Sequence, residues 1–201
     1  MDITKAVEKF VKENLDESSF LHSLRVRDWA LKIARQEKAD LKVVELSALL
    51  HDVGKQKSSF GDHHLKSAKM ADTFLKENNI GNPLRLKIIS CIKTHMAPRK
   101  LIPKMVENFK EDDFPKPVSI EEKCLYDADL MELIGPVGLT KILNFCLTGY
   151  RFSLPKSIEF TQWLMGGSAE GLLIETAKEI AKPYIQFQNQ FFRLYKEQQK
   201  S

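Results

Sequence analysis

Cysteine is scarce in this chain: there are three, Cys91, Cys124 and Cys146, in 201 residues. They are far apart and odd in number, and they form no CxxC pair. They read as reduced thiols within apolar helical stretches, which sets aside a disulfide-built scaffold and favours a cytoplasmic setting. Long hydrophobic runs are missing too. No stretch reaches the roughly 18 consecutive apolar residues a membrane span needs, so no span is expected. The start, Met1-Asp2-Ile3-Thr4-Lys5, leads into no long apolar region, so no signal peptide is expected. Nor is charge of one sign concentrated anywhere. The net charge is +4 and no basic run occurs. That is a mild attraction for small anions such as phosphorylated metabolites, and it argues against a polymeric nucleic acid partner. Alternating strand patterns, internal repeats and low-complexity tracts are also absent.

What the chain does contain is helical periodicity nearly throughout. Its length suits one domain, residues 1–201, with a substantial core. Ile3, Ala6, Val7, Phe10 and Val11 predict a first amphipathic helix. Ser18-Ser19 offers a cap for a second, on which His22, Val26, Trp29, Ala30 and Ile33 share a face. Leu41 to Leu50 is strongly apolar, with Gly54 placed as a C-cap residue. A polar loop precedes a helix from His63 to Asn78. Pro83 then opens another, whose inward face carries Ile88, Cys91, Ile92 and His95. Residues 98–117 form the longest irregular stretch, a candidate lid. Ser119-Ile120-Glu121-Glu122 reads as a capping box for the helix bearing Asp127 and Asp129. Pro136 to Leu147, Ser157 to Met165 and Ser168 to Gln199 complete the chain, with a break at Gly166-Gly167 and a bend at Pro183. The class is all-α, a single compact bundle of eight to ten helices. The aromatic face of the last helix (Phe187, Phe191, Phe192, Tyr195) reads as core or as a dimer face, which leaves a homo-oligomer open.

The chemistry concentrates on His51-Asp52, where an imidazole and a carboxylate end an apolar helix. His22, His63, His95 and Asp129 are available as partners from other helices. A mixed His/Asp set suits a divalent ion such as Mn, Fe, Co, Ni or Zn without any thiolate. Asp127 and Asp129 lie about 200° apart around a helix, so both cannot easily reach one ion. Lys55 follows the pair, and Arg25 is one turn from His22. Either could neutralise charge on a phosphate, although Lys55 also suits the helix dipole and Arg25 could pair with Asp28. Arg99 and Lys100 on the irregular stretch could meet an anionic tail, or be solvated loop charges.

Three segments in order, His22-Ser23-Leu24-Arg25-Val26, Ala48-Leu49-Leu50-His51-Asp52-Val53-Gly54-Lys55 and Asp127-Ala128-Asp129-Leu130-Met131-Glu132, resemble the HD-domain superfamily of metal-dependent phosphohydrolases. The resemblance covers residues 18–145 as a metal-binding core, with 146–201 as C-terminal helices packed on it. It implies His22, His51, Asp52 and Asp129 as metal ligands, with Asp129 favoured over Asp127. Some subfamilies hold a second ion, which implies His63 and His95 as its ligands or as substrate contacts, and leaves His64 spare. The implied activity is hydrolysis of a phosphoester or phosphoanhydride, of a nucleotide above all, with one or two divalent ions (Mg included). Asp52 and Lys55 would serve catalysis, and Arg25 and Lys55 the phosphate. Two other readings share these residues: a di-iron oxygenase on the same six ligands, and a nucleotide-sensing module without turnover.

Overall fold

In the computed structural model, residues 2–59, 61–96, 98–106 and 109–199 are described. They form ten α-helices and no strand. The all-α reading therefore holds. The helices are α1 (Ile3–Asn14), α2 (Glu17–Glu37), α3 (Leu41–Leu50), α4 (His63–Glu77), α5 (Asn82–Thr94), α6 (Ile102–Met105), α7 (Ile120–Met131), α8 (Gly135–Asn144), α9 (Leu154–Gly171) and α10 (Glu175–Gln198). A π-helical turn, Phe145–Gly149, continues α8. No single helix is long and apolar enough to cross a membrane among the described residues.

The centre of the fold is α3. It is apolar on nearly every side, which suits a helix enclosed by others rather than one lying on a surface. Val43, Val44, Leu46, Ala48, Leu49 and Leu50 are fully buried, and α3 packs against α1, α2, α5 and α7. Its first turn is fixed by Asp40, whose carboxylate accepts from the amides of Lys42 and Val43 at 3.0 and 3.2 Å. Because α3 runs through the core, its C-terminal end delivers His51 and Asp52 to the interior.

The face predicted for α2 is the buried one: His22, Val26, Ala30 and Ile33 point inward. Its cap is not Ser18-Ser19, however. Asp16 caps the helix and accepts from the Ser19 amide at 2.8 Å. A carboxylate three residues back reaches that orphan N–H, and it starts the helix earlier than the serines would. The capping box of α7 is present, with Ser119 accepting from the Glu122 amide and Glu122 accepting from that of Ser119.

Two glycine assignments change. Gly166-Gly167 does not break the chain, since α9 runs through both. A Cβ on Gly167 would lie 2.5 Å from Leu101 Cδ1. This glycine gives room for a packed side chain rather than a turn, and the break falls instead at residues 172–174. The final helix then continues through Pro183. Gly54 is not a left-handed cap either. Its φ is −94°, and a Cβ there would meet the Ser67 amide nitrogen at 2.6 Å and the Lys66 carbonyl carbon at 2.8 Å. It lets the turn after α3 press directly onto the backbone of α4.

The stretch 98–117 contains α6 and a short turn of 3₁₀ helix at Glu111–Asp113. It carries a small core of its own, made of Met96, Ile102 and Phe114. Leu139, Ile142, Cys146, Leu164, Met165 and Phe192 form another cluster, built from the C-terminal elements. All three cysteines are free and buried, as their apolar settings predict.

Candidate metal centre

Five elements carry side chains to one buried point. His22 comes from α2, His51 and Asp52 from the end of α3, His63 from the first position of α4, His95 from the end of α5 and Asp129 from α7. His51 and His95 are both C-cap residues, so their rings turn back beneath their own helices. Each donates its Nδ1–H to a carbonyl of the preceding turn: His51 to Ala48 at 2.7 Å, His95 to Ile92 at 2.6 Å. A carbonyl only accepts, so in the neutral ring these bonds place the proton on Nδ1 and leave the Nε2 lone pair directed inward.

Asp52 divides the cluster in two. Its Oδ2 lies 3.7 Å from His22 Nε2 and 3.6 Å from His51 Nε2. Its Oδ1 lies 3.5 Å from His63 Nε2 and 3.7 Å from His95 Nε2. Asp129 belongs to the first half, with Oδ1 3.3 Å from His22 Nε2 and 3.9 Å from that of His51. Within each half the imidazole nitrogens face one another, His22 and His51 at 3.3 Å, His63 and His95 at 3.2 Å. Lone pairs and carboxylate oxygens packed this closely away from water need a compensating cation. The atoms of His22, His51 and Asp129, and separately those of His51, Asp52 and His95, lie within 4.8 Å of one another. The chain's own donor set therefore fits a divalent ion taking nitrogen and oxygen ligands.

Electrostatics agree with that fit. Burial pushes His51 down to about 4, so it is a neutral donor at pH 7. Burial works against ionisation of Asp52, but the Lys55 ammonium outweighs it and holds the carboxyl well below the usual range. Asp129 is likewise held low against its burial, first by the hydrogen bond with His22. Both carboxylates are thus ready as anionic ligands.

The ambiguity between Asp127 and Asp129 is resolved by their partners. Asp127 turns away from the cluster and accepts from the backbone N–H of Leu173 at 2.9 Å and Ile174 at 2.8 Å, just ahead of α10. Burial nevertheless pushes its carboxyl up to about 6. It ties α7 to the C-terminal helices. Asp127→Ala strands one buried and one part-buried amide and should lower stability by about 1–3 kcal/mol in urea unfolding, with metal content unchanged.

Arg25 is held by a carboxylate of the chain itself. Its guanidinium is engaged by Glu132, with Nε and the Nη2 amine each 2.8 Å from Oε2. Asp28 instead accepts from Arg27. Arg99 is committed as well, donating to the carbonyls of Phe114 and Pro115. Lys100 is an exposed loop residue. Lys55 does reach the centre, with its ammonium 2.7 Å from Asp52 Oδ2. His64, the spare histidine, is buried beside Phe114 and donates through Nε2 to the Asp113 carbonyl at 2.9 Å.

Two residues join the site without having been assigned a role from the sequence. Glu132 accepts from His22 Nδ1 at 3.3 Å and so orients that ring. It lies one turn past Asp129 on the same face, a spacing that could have revealed it. Lys141 of α8 lies 3.3 Å from His22 Nδ1, and burial leads in pushing its pKa down. The only local signal for it is a lysine beside the buried Ile142. A carboxylate partner such as Glu132 sets the orientation and basicity of a liganding histidine, and its loss commonly costs ~10–100-fold in metal affinity. Glu132→Gln should therefore weaken Mn²⁺ binding by about that factor in a calorimetric titration.

Together these features define a helical protein with a buried His/Asp metal-ligand cluster. A family model described as the HD domain matches residues 20–133, over half of the chain. The protein belongs to the HD-domain family, whose members bind divalent metals. It is 32% identical to the Bacillus subtilis protein YpgQ over 136 residues, which is 65% of this chain and 59% of YpgQ. The chain thus spans less than two thirds of that relative in sequence alignment. The crystal structure of YpgQ superposes over 97% of this chain and 94% of its own, with a TM-score of 0.73 and 24% identity. The Lin1889 protein of Listeria innocua covers 99% and 96%, with a TM-score of 0.75 and 22% identity. A further structure of YpgQ, in complex with ADP, has a TM-score of 0.66 and 25% identity over 97% of this chain and 94% of its own.

Proposed function

We propose that this protein is a divalent-metal-dependent phosphohydrolase that adds water across a phosphoester or phosphoanhydride bond of a nucleotide. The observation that carries the reading is the position of Asp52, whose two oxygens face two separate histidine pairs while Lys55 holds one of them. His22, His51, Asp129 and Oδ2 of Asp52 would hold one ion; His63, His95 and Oδ1 would hold a second. Such ions, when bound, polarise a phosphoryl oxygen and make hydroxide available from water near neutral pH.

The remaining work falls to the chain's own side chains. Lys55 and Lys141 both line the cavity that opens over the centre. They place two cationic side chains where a phosphate would sit, and so stabilise charge that grows on it during hydrolysis. Glu132, pinned by Arg25, keeps the His22 ring turned toward the centre. The complex of the related YpgQ with ADP supports a nucleotide as the ligand class. The same six ligands could serve a di-iron oxygenase, but the paired lysines favour an anionic phosphate.

Chelator-stripped protein, assayed with a panel of nucleotides and an aryl phosphate, should release product only after Mn²⁺, Co²⁺, Ni²⁺ or Mg²⁺ is restored. The His51→Ala variant should release none. Folded, metal-loaded protein that turns over no substrate in the panel would contradict the reading, and tight nucleotide binding without turnover would replace it with a sensor.

A further inference from the structure

The cavity over the metal centre, about 420 Å³, is chemically one-ended. Its charged lining residues, Asp52, Asp129, Lys55 and Lys141, all sit at the floor beside the histidines. The wall that begins one turn beyond Lys141 is made by residues 144–164, outside the segment matched by the family model. It is aromatic: Phe145, Tyr150 and Phe160 line it. No charged side chain lines that end among the described residues. Uncharged hydrogen-bonding groups do, in Asn144 and Thr148.

Two features show that this wall is built rather than incidental. Phe145 and Tyr150 stay 52% and 50% exposed although they pack edge to face at 4.7 Å, so ring surface remains open at the mouth. The backbone between them is a π-helical turn, closed by the Tyr150 amide donating to the Phe145 carbonyl at 3.2 Å. The next residue, Arg151, has φ +53°, in the left-handed region that non-glycine residues avoid. π-Turns and strained residues are rare and concentrate at functional sites. Here they bracket the two aromatic rings.

We infer that the wall formed by Phe145, Tyr150 and Phe160 is the subsite for a flat, uncharged ring carried by the substrate, a nucleobase, with the phosphates directed to Lys141 and Lys55. This rests on the phosphohydrolase reading for what happens at the floor, but the ring subsite is a statement about binding and does not need turnover. Ring faces stack on Tyr and Phe with little dependence on which base is present. Asn144 and Thr148 meet the polar edge of the ring. A charged group at that end would find no partner.

The test compares two probes that share one non-hydrolysable diphosphonate: the α,β-methylene analogue of ADP and methylenediphosphonate alone. Both are titrated calorimetrically into Mn²⁺-loaded full-length protein. The nucleoside analogue should bind about tenfold tighter or more, the contribution expected of one stacked base. In Tyr150→Ala and in Phe145→Ala that advantage should shrink toward unity, while circular dichroism shows each variant folded. Both positions are half exposed, so either variant alone carries the test if the other fails to fold. Equal affinity for the two probes in the wild type, or an advantage that survives in every folded variant, would overturn the inference. Absence of phosphate release from any nucleotide would defeat the hydrolase reading and leave this one standing.

Discussion

Asp52→Ala removes metal from both halves of the centre at once and lowers metal-dependent phosphate release by at least about a thousandfold, the upper range for loss of one preorganised electrostatic group. No other side chain in the cluster has that reach. His22 and His51 lie nearest Oδ2, and His63 and His95 nearest Oδ1. Loss of His63 should spare the first half, and loss of Asp129 the second. In metal-free protein Asp52 is the ion-pair partner of Lys55, so its removal leaves that ammonium unpaired and the variant should melt somewhat lower in chelator. Saturating Mn²⁺ should widen the gap, because at ~100 times the dissociation constant a bound ligand stabilises the wild type by about 2.7 kcal/mol. Equal stabilisation of Asp52→Ala by Mn²⁺ would show that the ion is held elsewhere.

Gly54→Ala should have the second large effect, by a different route. The added methyl would lie 2.6 Å from the Ser67 nitrogen and 2.8 Å from the Lys66 carbonyl carbon, both backbone atoms of α4. A flexible side-chain end could move aside, but a helix backbone cannot move alone. Either α4 shifts outward or the turn bearing Asp52 does. The hydrogen bond from the Gly54 amide to Ser67 Oγ at 3.0 Å would be lost with either shift. Overpacking of this kind costs roughly 1–3 kcal/mol. The specific consequence is on His63, which α4 carries at its first position. Separation of α4 from the turn withdraws His63 from Asp52 while His22, His51 and Asp129 stay in place. Metal content should then fall by the share held in the second half, with a lower urea midpoint. Full metal content at unchanged stability would show that this contact does not hold the halves together.

Much of the centre is readable in the sequence, because its central element is local. His51-Asp52 closes a helix that is apolar on nearly every side, which carries the pair inside. His22 and His95 lie on faces that periodicity already turns inward. What periodicity does not decide is α7, where Asp127 and Ala128 are both fully buried and either carboxylate could point to a ligand. The choice of Asp129 from local pattern needed the family resemblance. The physical reason is distant in sequence: the Leu173 and Ile174 amides claim Asp127. The pairing of Arg25 with Glu132 was hidden for a similar reason, since that partner arrives from more than a hundred residues away. The glycines follow the same rule. Gly54 and Gly167 look like stops when read locally, and in the fold they are places where α4 and Leu101 come close.

The central claim is that Asp52 sits between two sites for a divalent ion. Anomalous diffraction from crystals grown with Mn²⁺ tests it most directly. Two peaks are predicted, one bounded by His22, His51 and Asp129, the other by His63 and His95, with the Asp52 carboxylate between them. A single peak in the first position would remove His63 and His95 from the centre. No peak among these six side chains, in crystals of folded protein, would contradict the account.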